Sequence, residues 1–432
     1  MEHFMSSVKQ KSGLFSRWKA LPLWVKIMVG MAAGLLTGFL LGPKATVLKP
    51  LGDLFLNGIK MLIVPLVFCS LVSGVTAMKD TSTMGRVALK SIVLYLATGA
   101  IAISLGLVIG YFFAPGEGMH MVAQTQEAVN KAPSMIDTLV AMVPQNPLKA
   151  MVDGNILQTI VFAIAVGISI SLLGKKAEPM QKVIESGAEI MYRLTSMVMS
   201  FAPYGIFGLM AWVAGSYGLE VLLPLAKVIG AVYVGSLLLM YGGYSLILMA
   251  KGLSPRGFFR GVLDAQTIAF STSSSSGALP ASMHCAENKL GISKSLCSFV
   301  LPLGATVNMN GTALYQGVCA LFIAQAFGID LAFSDYVTII FTSTLAAVGT
   351  AGVPGAGLIM LSLVLTSVGL PMEGVALIAA IDRILDMART CVNVTGDIMV
   401  ATLIGKGEGE LDQACYNSAG ESESGSARVV MG

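Results

Sequence analysis

Asp382-Arg-Ile-Leu-Asp386-Met-Ala-Arg389-Thr390-Cys-Val-Asn393-Val-Thr-Gly-Asp397 sets a polar series into an apolar run. Asp382, Asp386, Arg389, Asn393 and Asp397 fall at offsets 0, 4, 7, 11 and 15. At about 100° per residue on a helix, these positions share a sector of roughly 80°. Thr390 lies at its edge, and the intervening residues are mostly Ile, Leu, Met, Ala, Val and Cys. The rest of the chain decides what such a stripe can face. Of 432 residues only 12% are charged and 55% are hydrophobic, with a mean hydropathy of +0.78. A soluble domain carries about 25% charged residues. This much apolar side chain exceeds what a soluble core can bury, so most of the chain must sit in lipid. A disordered chain, a secreted disulfide scaffold and a soluble multidomain enzyme are excluded. A charge at the bilayer centre costs on the order of 2.5–3.5 kcal/mol on insertion scales. Three carboxylates and an arginine on one stripe must therefore face a polar interior. Bound cations would neutralise the net negative charge that internal ion pairs alone leave over.

Apolar runs near 23–41, 51–78, 88–115, 155–174, 189–215, 221–250, 295–325 and 370–404 predict eight full spans. Each reaches the ~20 residues a helix needs to cross the hydrocarbon, and several exceed it. The first follows Lys9, Lys11, Arg17 and Lys19 but is too long for a signal core and lacks a small-x-small cleavage site. Basic residues in the N-terminal segment and in 79–90, 175–182 and 251–260 share one side. The positive-inside rule makes that side the cytoplasm, with both termini there. Lys44 and Lys49 fall outside as mild exceptions. The segment 406–432 is rich in Gly, Ser and Glu and is expected to be a disordered cytoplasmic tail. The six cysteines form no C-x-x-C pair, the three histidines lie far apart, and a net charge of +3 offers no basic stripe for nucleic acid.

Two apolar stretches are interrupted. One is broken by Ser271-Thr-Ser273-Ser274-Ser275-Ser276-Gly277, the other by Gly349-Thr350-Ala-Gly-Val353-Pro-Gly-Ala-Gly357. Irregular backbone cannot face lipid with its N–H and C=O groups unmet, so each tip must lie against protein or a wet cavity. Two re-entrant hairpins, each followed by a full helix, make an inverted repeat of the kind that holds a transporter's binding site near the midplane. The helix between them carries Asn308-Met309-Asn310-Gly311-Thr312. An unwound turn there would release carbonyls as hard oxygen ligands for a cation.

The serine-rich tip, the N-M-x-G-T helix, the G-T-A-G-V-P-G-A-G tip and the D-x-x-x-D-x-x-R-T-x-x-N-x-x-G-D helix occur in that order. Over about residues 20–405 the chain resembles the dicarboxylate/amino acid:cation symporter family, which includes glutamate and aspartate transporters. The resemblance implies an all-α homotrimer in the bilayer with an elevator mechanism. A basic N-terminus (1–22) would precede scaffold spans in 23–83 and 116–216. A mobile transport part would comprise 84–115 and 217–405, with the second hairpin as outer gate.

By position, the resemblance implies that Asp386 accepts the substrate's ammonium. Arg389 would pair with its side-chain carboxylate, a bidentate task suited to a guanidinium, and Thr312 would contact the same group. Ser273, Ser274, Ser275, Thr390, Asn393 and the tip amides around Val353 and Gly357 would complete the substrate site. Gly304, Asn308, Asn393 and Asp397 match one sodium site. Thr306, Met309, Ala347, Val348 and Thr350 match a second. Asn310, where sodium-coupled members usually have Asp, and Gly99 beside Tyr95 and Thr98 would weaken a third, which implies fewer coupled Na⁺ or H⁺ in place of one. The first tip also lacks a common arginine, Ser273 standing there.

The function so implied is uptake of an acidic amino acid, coupled to Na⁺ or H⁺, in a bacterial inner membrane. A C4-dicarboxylate carrier is the alternative, opposed by Asp386, because succinate has no ammonium. A neutral amino acid carrier is opposed by Arg389. A channel would need a filter that neither tip supplies, and an intramembrane serine hydrolase would need a histidine partner.

Overall fold

A chain that must hide its backbone polar groups from lipid has helices as its main option. The computed structural model describes residues 21, 23–76, 82–119, 121, 140, 143–349, 352 and 354–418. Among these residues the structure is helical, with one isolated bridge between Ile292 and Leu411. In chain order the helices begin with α1 (Leu23–Leu41), α2 (Lys49–Thr76), α3 (Ser82–Phe113), α4 (Pro147–Val152), α5 (Ile156–Leu173), α6 (Glu178–Ser200) and α7 (Ala202–Tyr217). Helix α8 (Leu222–Leu237) runs through a π-helical stretch, Leu238–Tyr244, into α9 (Ser245–Ala250). Then come α10 (Pro255–Thr272), α11 (Ser275–His284), α12 (Lys294–Val307), α13 (Asn310–Ala326), α14 (Phe333–Gly349) and α15 (Ala356–Ser367). Helices α16 (Glu373–Glu408) and α17 (Gln413–Ser418) end the described chain.

Among the described residues three stretches are long and apolar enough to cross a membrane: Val25–Phe55, Arg86–Phe113 and Leu222–Ala250. The expected span 189–215 is not one straight helix. It falls in a pair, Val161–Ser200 and Ala202–Ser216, bent by 50°. Pro203 stands in the first turn of α7, where its missing N–H costs least and its fixed φ suits a new helix start. The preceding part is amphipathic, with Glu178, Lys182, Glu185, Glu189 and Arg193 along one face.

The helices pack as two groups. In one, α1 lies on α7, and α2 on α5, α6 and α7. Gly30, Gly34 and Gly38 let α1 and α7 touch backbone to backbone. A Cβ at Gly34 would stand 2.5 Å from the Phe207 carbonyl oxygen, the small-residue contact by which membrane helices associate without a hydrophobic drive. In the other group, α3 lies on α13, and α16 is surrounded by α8, α10, α11, α12, α13 and α15.

The tail expectation is corrected over 406–418. Gly409, at φ +76°, closes α16, and Leu411 bridges to Ile292. Tyr416 is 1% exposed. Leu411 and Tyr416 supply the apolar surface that average composition conceals. The basic N-terminal segment up to residue 20, and residues 419–432, lie outside the described residues.

Candidate functional site

Helix α16 carries the polar stripe through the centre of its group, and the stripe is buried. Arg389 is 1% exposed, Asp386 6% and Asp397 3%. The two interrupted stretches fold as helix–turn–helix pairs, α10 with α11 and α14 with α15, and their tips meet. Ser274 Oγ donates to the Gly352 carbonyl at 2.8 Å, and the Ser276 N–H reaches the same oxygen at 3.1 Å. Beneath that contact is a crevice lined by Ser273, Ser275, Met309, Thr312, Gly352, Ala356, Gly357, Asp386, Thr390 and Asn393. Its cavity volume is about 10 Å³, about what a single water molecule needs, so the tips close tightly over these residues.

Seven expected substrate residues therefore converge: Ser273, Ser275, Thr312, Gly357, Asp386, Thr390 and Asn393. Ser274 does not line the crevice. Its hydroxyl caps α11, accepting from the Gly277 N–H at 3.0 Å, while joining the tips. Val353 and Thr350 lie outside the described residues. Asn393 Oδ1 accepts from the Gly311 N–H at 2.8 Å, and its Nδ2 points to Met309 Sδ at 3.2 Å and Thr312 Oγ1 at 3.4 Å.

The charges pair internally. Arg389 Nη2 donates to Asp386 Oδ1 at 2.7 Å and Nη1 to Asp382 Oδ1 at 2.8 Å. Asp386 Oδ2 also accepts from the Gly355 N–H of the second tip at 3.0 Å. The guanidinium lies 4.1 Å from the Tyr315 ring centroid, a cation–π contact in a desolvated setting. Gly357 makes room for it, since a Cβ there would stand 2.8 Å from Arg389 Cζ. Tyr315 carries no sequence signal, because a tyrosine in an apolar run is indistinguishable from core.

A second polar cluster lies farther along α16. The helix preceding the stripe is broken at Asn308–Met309, between α12 and α13, with Asn308 extended (φ −98°, ψ 91°). This is the unwound turn that Asn308-Met309-Asn310-Gly311 predicts. Asn308 Nδ2 donates to Asp397 Oδ1 at 2.8 Å, while Asn308 Oδ1 is buried without a protein partner. A Cβ at Gly304 would stand 2.7 Å from Asp397 Oδ1. Gly304, Asn308 and Asp397 thus gather as one oxygen-rich site with an unmet acceptor, which fits a hard cation. The Asn393 side chain is not among them and belongs to the crevice. Of the other expected cation set, Thr306 and Ala347 stand on the packed helices α12 and α14. Thr306 Oγ1 is turned to the Pro302 carbonyl at 2.8 Å, and Val348 follows Ala347 in α14. Among the described residues no three His, Cys, Asp or Glu side chains cluster as metal ligands.

Of the residues named for a third cation, Thr98 and Asn310 join Tyr244 in a neutral network. Thr98 Oγ1 lies 3.3 Å from Asn310 Oδ1, and Asn310 Nδ2 donates to Tyr244 Oη at 3.0 Å. The Tyr95 hydroxyl turns to the Val300 carbonyl at 3.0 Å. Tyr244 closes the π-helical stretch, a register shift that hydrophobic periodicity does not reveal.

Comparison with known proteins covers nearly the whole described chain. A family model described as the sodium:dicarboxylate symporter family matches residues 23–406. A proton/sodium-glutamate symport protein of Geobacillus stearothermophilus is 36% identical over 402 residues, 90% of this chain and 95% of that protein. A C4-dicarboxylate transport protein of Sinorhizobium medicae is 34% identical over 406 residues, 92% of this chain and 89% of its own length. A proton/glutamate-aspartate symporter of Bacillus subtilis is 34% identical over 401 residues, 91% of this chain and 97% of that protein.

Proposed function

Because this chain belongs to the sodium:dicarboxylate symporter family, we propose that it is a membrane symporter that takes up glutamate or aspartate with Na⁺, H⁺ or both. It is a transporter and not an enzyme. The observation that carries the substrate reading is the buried Asp386–Arg389 pair, 2.7 Å across, whose Asp386 lines the crevice and whose Arg389 lies behind Gly357. Breaking a buried pair by removing one partner costs about 3–5 kcal/mol, because an uncompensated charge is left behind. A zwitterion with one extra acid avoids that cost. Its ammonium takes Asp386 as its carboxylate takes Arg389, so the two partners are exchanged and neither charge is stranded. The serines of the first tip, with Asn393 and Thr312, supply hydroxyl and amide groups for the remaining carboxylate.

A C4-dicarboxylate is the second reading, favoured by relatives of that name at 34% identity. It lacks the ammonium and needs a cation or a proton on Asp386 instead. Uptake of labelled aspartate, glutamate and succinate into proteoliposomes, with Na⁺ and pH gradients imposed separately, decides between them. Gradient-driven accumulation of either amino acid above succinate is expected; preferred succinate uptake would contradict the assignment.

The wider architecture follows the same reading. Eight spans and two re-entrant hairpins would form a homotrimeric elevator in a bacterial inner membrane, both termini cytoplasmic. The group of α1, α2, α5, α6 and α7 would be the scaffold, and the group around α16 the moving part. The second hairpin would be the outer gate. Gly304, Asn308 and Asp397 would hold one Na⁺. The neutral Thr98–Asn310–Tyr244 network supports a lower Na⁺ count than three per substrate.

A further inference from the structure

Arg383 follows Asp382 on α16 but points off the stripe and is 5% exposed. Its Nη2 donates to the carbonyls of Ser271 at 3.5 Å and Thr272 at 3.4 Å. Those residues end α10, where a helix leaves its last four carbonyls without intrahelical partners. The turn beyond them is strained. Ser273 sits at φ +52°, a left-handed conformation that residues other than glycine seldom adopt, and its N–H closes on the Ala269 carbonyl at 2.8 Å. Such a conformation persists only where its surroundings over-determine it. The same turn delivers Ser273 and Ser275 to the crevice, with Ser273 Oγ buried and without a protein partner.

We propose that Arg383 is a positioning residue for substrate binding: its guanidinium caps the first arm and holds the left-handed turn, so that the serine wall of the crevice is formed before substrate arrives. A cation at a helix C-terminus complements the helix dipole. Here one nitrogen, Nη2, reaches both carbonyls, and the rigid planar guanidinium fixes it there, whereas an ammonium is a point charge on a flexible stem. A purely packing role fits the position poorly. Arg383 Nε and Nη1 are buried with no hydrogen-bond partner, and burying unmet donors costs stability. An apolar side chain would pack there at least as well.

The proposal rests on the crevice being the substrate site, and its test separates the two ideas. Arg383→Met, Arg383→Lys, Ser275→Ala and the Met/Ala double variant are compared with the wild type. Each is reconstituted in proteoliposomes with labelled aspartate and glutamate, and melting of the purified protein is recorded. For Arg383→Met, KM rises about ten-fold, the scale of one lost hydrogen bond from a charged group, while kcat stays close to wild type and Tm does not fall. Arg383→Lys lies between. Adding Ser275→Ala to Arg383→Met raises KM no further, because both act through the same tip. An unchanged KM, additive effects, or failure of Arg383→Met to fold or to keep its Tm would overturn the proposal. A wild type that accumulates neither amino acid would overturn the substrate reading, and this proposal with it.

Discussion

Arg389 concentrates the chemistry of the molecule in one side chain. Two carboxylates hold its edge at 2.7 and 2.8 Å, Tyr315 holds its face, and Gly357 leaves space beneath it. The guanidinium is therefore fixed before any ligand arrives, which cuts the ordering cost of binding. On the proposed reading, Arg389→Cys removes the partner for a substrate's second carboxylate. Uptake of aspartate or glutamate should fall by about a hundred-fold or more, the scale of a stranded buried charge. Competition by neutral amino acids should rise, read as inhibition of labelled uptake. Gly357→Ala drives a methyl group against the guanidinium and should weaken substrate affinity with little change in expression. At this scale the sequence is informative where charge meets periodicity. The offsets of Asp382, Asp386 and Arg389 reveal a shared face and an i,i+3 pair. Tyr315 and Tyr244 escape notice because their role depends on which residue of another helix they meet.

Among the elements, the last turn of α16 and the segment after it tie together parts distant in sequence. Lys406 Nζ donates to the carbonyls of Lys251 at 2.5 Å and Gly252 at 3.0 Å. The Ser293 hydroxyl bonds to the Glu410 carboxylate. The Tyr416 hydroxyl reaches the Ser254 carbonyl at 2.9 Å. Ser254 caps α10 and Ser293 caps α12, so this strap fastens both ends of the first hairpin at its base. Truncation after Gly409 should lower the melting temperature of the purified protein and expose the base of α10 to proteolysis. Glu408 pairs with Arg86 and Lys90, each at 2.5 Å. Hydrogen bonds from Lys90 and then Arg86 hold its carboxyl below the usual range. A depressed folded-state value contributes stability above the unfolded value of about 4.3. That contribution is lost as pH falls through the folded value. The Tm difference between wild type and Glu408→Gln should thus be present at neutral pH and shrink in strong acid; a gap that widens on acidification would contradict this. Local signals foretell the two tips and the break at Asn308, because glycine, serine and asparagine runs have one reading inside an apolar span. The bend at Phe201 and the ordered strap are less legible. One is marked by a single proline next to an amphipathic helix, the other by two apolar residues diluted by a polar tail.

For the whole molecule, hydropathy alone identifies the solvent, since so few charges over 432 residues leave lipid as the main environment. The division into two packing groups is less visible in the sequence, because small-residue contacts such as those of Gly30, Gly34 and Gly38 need the partner helix to be known. If the group around α16 moves as a unit, the ions it carries set the energetics. Each charge moved with the field gains about 2.3 kcal/mol per 100 mV. With Asn310 satisfied by Tyr244 and Thr98, fewer than three Na⁺ should accompany each substrate. Reversal potentials in vesicles give that ratio, and three would contradict a neutral third site.

The most direct measurement addresses the exchange of partners at the crevice: uptake of labelled aspartate and glutamate, with succinate as competitor, by wild type and Asp386→Asn under one imposed cation gradient. Asp386→Asn should lose amino acid uptake by about a hundred-fold while succinate competes as well as before or better. Amino acid uptake that survives the substitution would mean that Asp386 does not receive the substrate's ammonium.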